Sequence, residues 1–205
     1  MTLAFLASLI AFMLFLSISI RHQNRLAQEK EKRFWEREAR ANSIRRKSLD
    51  GLSYIKIPLE TFPTHILQND STVQECISTL EVLTSQKIVN LTGYTNTDLK
   101  LEYGTANITV LSEYDQNYTV LVRTLQKWAD ILLETGYVEE AVILMEFAVS
   151  TGTDISSTYY KLADYHASRG EYNRIEGLIS TAESLRSSGK NTIVKHLREQ
   201  YGTGR

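Results

Sequence analysis

The chain has 205 residues, 42% hydrophobic and 23% charged, with two prolines and one cysteine, which excludes a disordered protein and any intramolecular disulfide and leaves room for one cored domain plus an appendage. Its formal net charge of −1 conceals an asymmetry: residues 21–50 hold ten Lys or Arg against five Asp or Glu, and the remainder holds thirteen against nineteen. The basic block adjoins an apolar run and the rest is acidic, so a nucleic-acid-binding domain is excluded.

From Leu3 to Ile20 the sequence is an uncharged run of 18 residues, long enough at about 1.5 Å per residue to cross a hydrocarbon core of roughly 30 Å. The two residues before it carry no basic side chain, and charged residues follow it directly in place of a small-residue cleavage site. Both features favour a retained transmembrane helix over residues 1–20 rather than a cleaved leader. Arg21, Arg25, Lys30, Lys32 and Arg33 follow the run and none precedes it, so the positive-inside bias places the bulk of the chain in the cytoplasm, behind a single-pass anchor in the cell membrane. One cysteine is compatible with a reducing compartment. Four N-x-S/T triplets, at Asn69, Asn90, Asn107 and Asn117, are the competing signal for an extracytoplasmic location.

Residues 21–47 are rich in helix formers and contain neither Gly nor Pro, which predicts that the apolar helix continues into a basic juxtamembrane stalk. Glu29–Arg33 and Glu36–Arg40 have the favourable i,i+4 order. Apolar residues are too scattered for a heptad seam. The segment from Arg21 to Arg33 is a candidate collar for anionic lipid, with a solvated spacer helix expected beyond Phe34.

Residues 48–71 hold both prolines and break the helical pattern, yet Leu49, Leu52, Tyr54, Ile55, Ile57, Leu59 and Phe62 make the segment too apolar for a free linker. An extended strap lying on its own domain is expected. Ser71-Thr72 with Glu75 reads as a helix start, and a helix from Thr72 to about Val89 would bury Val73, Cys76, Ile77, Leu80 and Leu83. Cys76 then becomes an inert core thiol. Asn96-Thr97-Asp98 opens a short helix that Gly104 closes. Residues 72–121 together are read as an atypical helical cap. A long helix from about Thr109 to Thr135 follows, with Leu111, Tyr114, Tyr118, Leu121, Leu125, Trp128, Ala129 and Leu132 at three- and four-residue steps.

Residues 122–205 repeat themselves. Gly136 and Gly170 lie 34 residues apart, as do Ala129 and Ala163, Trp128 and Leu162, Val138 and Tyr172, Ala141 and Ile175, and Ala148 and Ala182. A period of about 34 belongs to a helix–turn–helix solenoid. In this pattern the segment resembles the tetratricopeptide repeat (TPR), with about two and a half repeats and a last capping helix at Asn191–Tyr201. Stacking needs about three repeats, so the upstream helices are expected to complete the core. The whole is therefore expected to be all-α. As a layout it also resembles uncharacterised single-pass membrane proteins of Gram-positive bacteria.

The TPR resemblance implies a groove lined by Arg123, Gln126, Asp130 and Leu133, by Ser157, Tyr160, Asp164 and Ala167, and by Val194 and Arg198. Well-understood members clamp a C-terminal carboxylate there with Lys and Asn. Asp130 and Asp164 stand in such places here, so with Tyr160 they imply a basic or mixed helical protein segment as partner.

No catalytic, cofactor or metal motif emerges. His22, His65, His166 and His196 share no ligand spacing, and there is neither a nucleophile elbow nor a phosphate-cradling glycine loop. His166 takes a repeat position that packs between helices. The Tyr114–Tyr118 cluster reads as a tyrosine face with a polar edge. The function expected is a membrane-anchored scaffold or adaptor binding a protein at the cytoplasmic face. The alternatives are an extracytoplasmic tethered binding domain and a membrane-bound enzyme with a site in the cap.

Overall fold

The computed structural model describes the backbone of residues 2–202 and the side chains of 8–10 and 12–202. Its regular structure is helical: α1 (Thr2–Ser43), α2 (Ser71–Thr84), α3 (Asn96–Tyr103), α4 (Ile108–Glu134), α5 (Val138–Ser150), α6 (Ser156–Ser168), α7 (Tyr172–Ser184) and α8 (Lys190–Tyr201), with single 3-10 turns at Leu59–Thr61 and Thr105–Asn107. Two compact units result, Met1–Lys47 with Asn96–Asn107, and Ser48–Thr95 with Ile108–Arg205.

In the first unit α1 runs unbroken for 42 residues, since nothing in it interrupts the hydrogen-bond ladder. The expected span Leu3–Ile20 falls partly on side chains (3–7 and 11) outside the described residues. Among the described residues no helix is long and apolar enough to cross a membrane. The described apolar side chains Leu9, Ile10, Phe12 to Leu16, Ile18 and Ile20 are all exposed. Further along, Glu29 lies between Arg25 (3.4 Å) and Arg33 (3.6 Å). Glu36 pairs with Lys32 (3.9 Å) instead of the expected Arg40.

The helix stops at Ser43, four residues short of the expected stalk, because the next residues bond elsewhere. Lys47 N–H donates to the Tyr103 carbonyl (3.0 Å), and the Asn107 amide donates to the carbonyls of Lys47 and Tyr103 (2.8 Å each) while accepting from Arg46 Nε (3.0 Å). Residues 96–107, grouped by sequence with the cap, thus belong to the unit of α1. Beyond Phe34 the stalk is a docking surface for α3 and not a bare spacer. Arg37 pairs with Asp98, and Glu38 accepts from the Thr97 hydroxyl and from Lys100 Nζ (3.1 Å). These two donors, Thr97 first, hold the Glu38 carboxyl below its ordinary range. At Gly104 (φ +88°) a Cβ would lie 2.2 Å from the Arg45 carbonyl oxygen, so only glycine lets the strands of chain cross here.

In the second unit α2 is capped by Asp70, one residue earlier than expected, whose carboxylate accepts from Thr72 N–H (2.8 Å) and Val73 N–H (3.0 Å). Its face Val73, Cys76, Ile77, Leu80 and Leu83 is buried as expected, and burial pushes the Cys76 thiol up. The helix ends at Thr84 and not near Val89, because the following segment is stapled to α4. Val89 N–H reaches the Tyr114 carbonyl (3.3 Å), Leu91 N–H reaches Asp115 Oδ1 (3.0 Å), and Asn117 Nδ2 reaches the Lys87 carbonyl (3.0 Å). The Tyr114–Tyr118 cluster is that staple. The strap lies on its own unit: Ile55 N–H donates to the Ile88 carbonyl (2.9 Å), and buried Phe62 sits edge-on to Trp128 (6.3 Å) and Phe147 (5.3 Å).

From α4 onward the offset of 34 recurs in the helices. The helices α5 and α7 are each 13 residues long and begin 34 residues apart. Gly136 (φ +88°) and Gly170 (φ +71°) occupy the same corner. Gly136 N–H donates to Leu133 and Tyr137 N–H to Leu132; Gly170 N–H donates to Ala167 and Glu171 N–H to His166. Each pair closes the preceding helix with a left-handed cap. Ala129 and Ala141 are buried in one hairpin and Ala163 and Ile175 in the other, and Trp128 and Leu162 are fully buried at matching positions. Buried His166 is satisfied by Glu171 (2.8 Å), which also meets Arg169 Nε (3.4 Å).

Because the two corners are equivalent and open, Gly136→Ala and Gly170→Ala should each cost about 1–2 kcal/mol, the left-handed penalty alone. Gly104→Ala adds a clash and should cost more, read as lost hydrogen-exchange protection in α3. The bond from His166, with Arg169 second, holds the Glu171 carboxyl below its ordinary value. The stability it gives is complete above the ordinary carboxylate range and disappears as pH falls through the lowered folded value. Glu171→Gln should therefore flatten the acid limb of the stability–pH curve in thermal melts.

Candidate protein-binding groove

The side of α4 away from its buried stripe carries polar residues at three- and four-residue steps, and this fixes where each expected groove residue lies. Arg123 is exposed and has no hydrogen bond or ion pair among the described residues. Gln126 bridges helices: its Oε1 accepts from Thr158 Oγ1 of α6 (2.5 Å) and its Nε2 donates to Asp130 Oδ1 (2.5 Å). The same Asp130 oxygen accepts from Lys161 Nζ of α6 (2.7 Å). On α6 the Tyr160 ring stacks on His196 of α8 with centroids 3.9 Å apart. Asp164 accepts from the Tyr201 hydroxyl, whose phenol burial and that bond push up to about 12. Arg198 pairs with Glu183 of α7.

These six residues form two places. Arg123, Gln126 and Asp130 line a hollow of about 650 Å³, with Asp70, Thr72, Lys127, Ile131, Glu134, Thr135 and Ile155. Tyr160, Asp164 and Arg198 lie outside it, on α6 and α8. The acids expected to meet a ligand are thus engaged within the chain, Asp130 by Lys161 and Asp164 by Tyr201. Lys127, Ile131 and Glu134 follow from Arg123 along one helix edge, so their helical period could have found them. Ile155 precedes α6 and left no periodic signal. Lys127 bonds Glu75 (2.8 Å), and that bond lowers the Glu75 carboxyl.

Chemically the hollow offers two aliphatic side chains, Ile131 and Ile155, among charged and polar ones. Among the described residues no group of three or more His, Cys, Asp or Glu could hold a metal ion. A smaller polar recess of about 300 Å³, lined by Ser53, Asn90, Thr92, Tyr94 and Ser184 to Ser187, contains no carboxylate, histidine or thiol. Asp115 is taken up by Leu91 N–H and Asp98 by Arg37. Three triplet asparagines use their side-chain nitrogens structurally: Asn90 donates to Thr151 (2.9 Å) and Gly152 (3.0 Å), and Asn107 and Asn117 donate as described. Asn69 is exposed.

No family model, curated protein or solved structure matches the chain.

Asp130 and Lys161 are each more than a third exposed, so solvent screens their bond. A double-mutant cycle with Asp130→Asn and Lys161→Met should give a coupling of about 0.5 kcal/mol in chemical denaturation. A coupling near zero would show that the bond does not hold α4 and α6 together.

Proposed function

We propose that the chain is a single-pass, membrane-anchored scaffold whose TPR-like repeats hold a protein partner at the cytoplasmic face of the membrane. The observation that carries the reading is the hollow on α4, an open recess in which Ile131 and Ile155 lie among five charged residues, on a helix whose opposite stripe is buried in the core. The matched corners at Gly136 and Gly170 support the TPR-like part. The 18-residue uncharged run supports the anchor, as does the exposure of the described large apolar side chains from Leu9 to Ile20. The basic residues from Arg21 to Arg33 support cytoplasmic orientation and a collar for anionic lipid. The engagement of Asn90, Asn107 and Asn117 in backbone bonds supports the same side.

A binding role fits what the face offers: Asp130 and Asp164 are engaged by neighbouring helices, and the accessible recess presents aliphatic carbon among paired and unpaired charges.

Thr135 lies at the rim of the hollow and is exposed, so Thr135→Trp fills the recess without changing its charge. Proximity labelling from a tag after Arg205 in the native cell should lose a subset of proteins in that variant, with thermal stability within a few degrees of the parent. An unchanged set would remove the hollow as the binding site. Fusion reporters at the same end test the orientation: fluorescence of a cytoplasmic type is expected, and phosphatase activity of an extracytoplasmic type would reverse it.

A further inference from the structure

The charges around the hollow are not equivalent. Five charged residues line it. Asp70 is occupied as the cap of α2, Lys127 by Glu75, and Asp130 by Lys161 and Gln126. Arg123 and Glu134 have no hydrogen bond or ion pair among the described residues, and both are exposed. They are eleven residues apart on α4, which is three turns, or about 16 Å, and at about 100° per residue they fall on the same helix edge within roughly 20°. Ile131 lies between them along the helix, as do the paired Lys127 and Asp130, and Ile155 also lines the hollow.

An edge with an unpaired cation at its start, an unpaired anion at its end and, between them, aliphatic carbon beside the already paired Lys127 and Asp130 is complementary to one kind of ligand. We infer that the hollow takes a dipolar protein segment, with an acidic side chain on Arg123, an apolar side chain over Ile131 and Ile155, and a basic side chain on Glu134. The required separation of about 16 Å corresponds to about five residues of extended chain or about eleven of helix. A uniformly basic or uniformly acidic segment satisfies one end and is repelled at the other, so opposite charges in one segment are the basis of selection. This inference rests on the hollow being the binding site and adds what that site selects.

The full chain in nanodiscs of zwitterionic lipid, which does not collect basic peptides, is titrated with capped fluorescent peptides by anisotropy. One set carries Asp and Arg five residues apart with Leu between, and a helical alanine-rich set carries them eleven apart. Companions of each replace both charges by Asp, both by Arg, or the Leu by Ser. In the parent, a dipolar peptide of one spacing should bind about five- to tenfold tighter than the uniform ones, with the gap narrowing at high salt. Arg123→Glu should shift the preference to the doubly basic peptide, and Glu134→Arg to the doubly acidic one. Both residues are exposed and unpaired, so these variants should keep the parent's melting temperature. Binding whose ranking is the same in all three proteins would overturn the inference while leaving the hollow as the site. Absence of binding by every peptide would overturn it too. Only if Thr135→Trp also left the labelled set unchanged would the site itself fall.

Discussion

The unit that begins at Ser48 depends on two pairs of helices, α4 with α5 and α6 with α7, each reversing direction within three residues. A reversal that tight leaves the last carbonyls of one helix without partners unless the chain turns left-handed, and for an L-residue that turn is strained. Gly136 and Gly170 remove the strain, and the two N–H groups at each corner then close the helix behind them. With the corner fixed, the distance between the paired helices is set by what lies at their contact. Ala129, Ala141 and Ala163 permit close approach, and Trp128, Leu162 and Ile175 fill the spaces left over. The strap and α2 finish the job at the open end, where Phe62 and the face of Val73, Cys76, Ile77, Leu80 and Leu83 cover apolar surface that would otherwise meet water.

The unit built on α1 is held by a different principle. Little apolar surface is buried there, chiefly Ala41 and Leu99, and the contact is made by polar groups. Asn107 uses both ends of its amide, Glu38 accepts from two donors, and Gly104 lets Arg45 pass. Specific hydrogen bonds of this kind fix geometry more than they add stability. In the apolar part of the same helix the described large side chains, from Leu9 to Ile20, are exposed, and a lipid environment is the reason proposed for it.

On the face of α4 and α6 the partners of each charge decide what is available. Residues chosen for their helical position turned out to divide into those engaged by a neighbouring helix and those left open. Asp130 and Asp164 are engaged, because a lysine or tyrosine on the next helix reaches them. Arg123 has no such neighbour within reach. Position on a helix face therefore does not by itself say whether a charge is engaged; the groups on the next helix do.

The sequence by itself determined the helical content, the offset of 34, the left-handed corners and the buried stripes of α2 and α4. All of these follow from local rules: side-chain period, the conformational freedom of glycine, and the size of residues at fixed steps. Only the tertiary structure decided which residues end α1 and α2. A helix continues until another segment offers its backbone a better bond, as Tyr103 does for Lys47 and Asp115 for Leu91. It likewise decided that α3 joins α1, and which charges on α4 stay free. Those outcomes depend on groups 24 to 64 positions apart meeting in space, and no periodicity along a single helix encodes such a meeting.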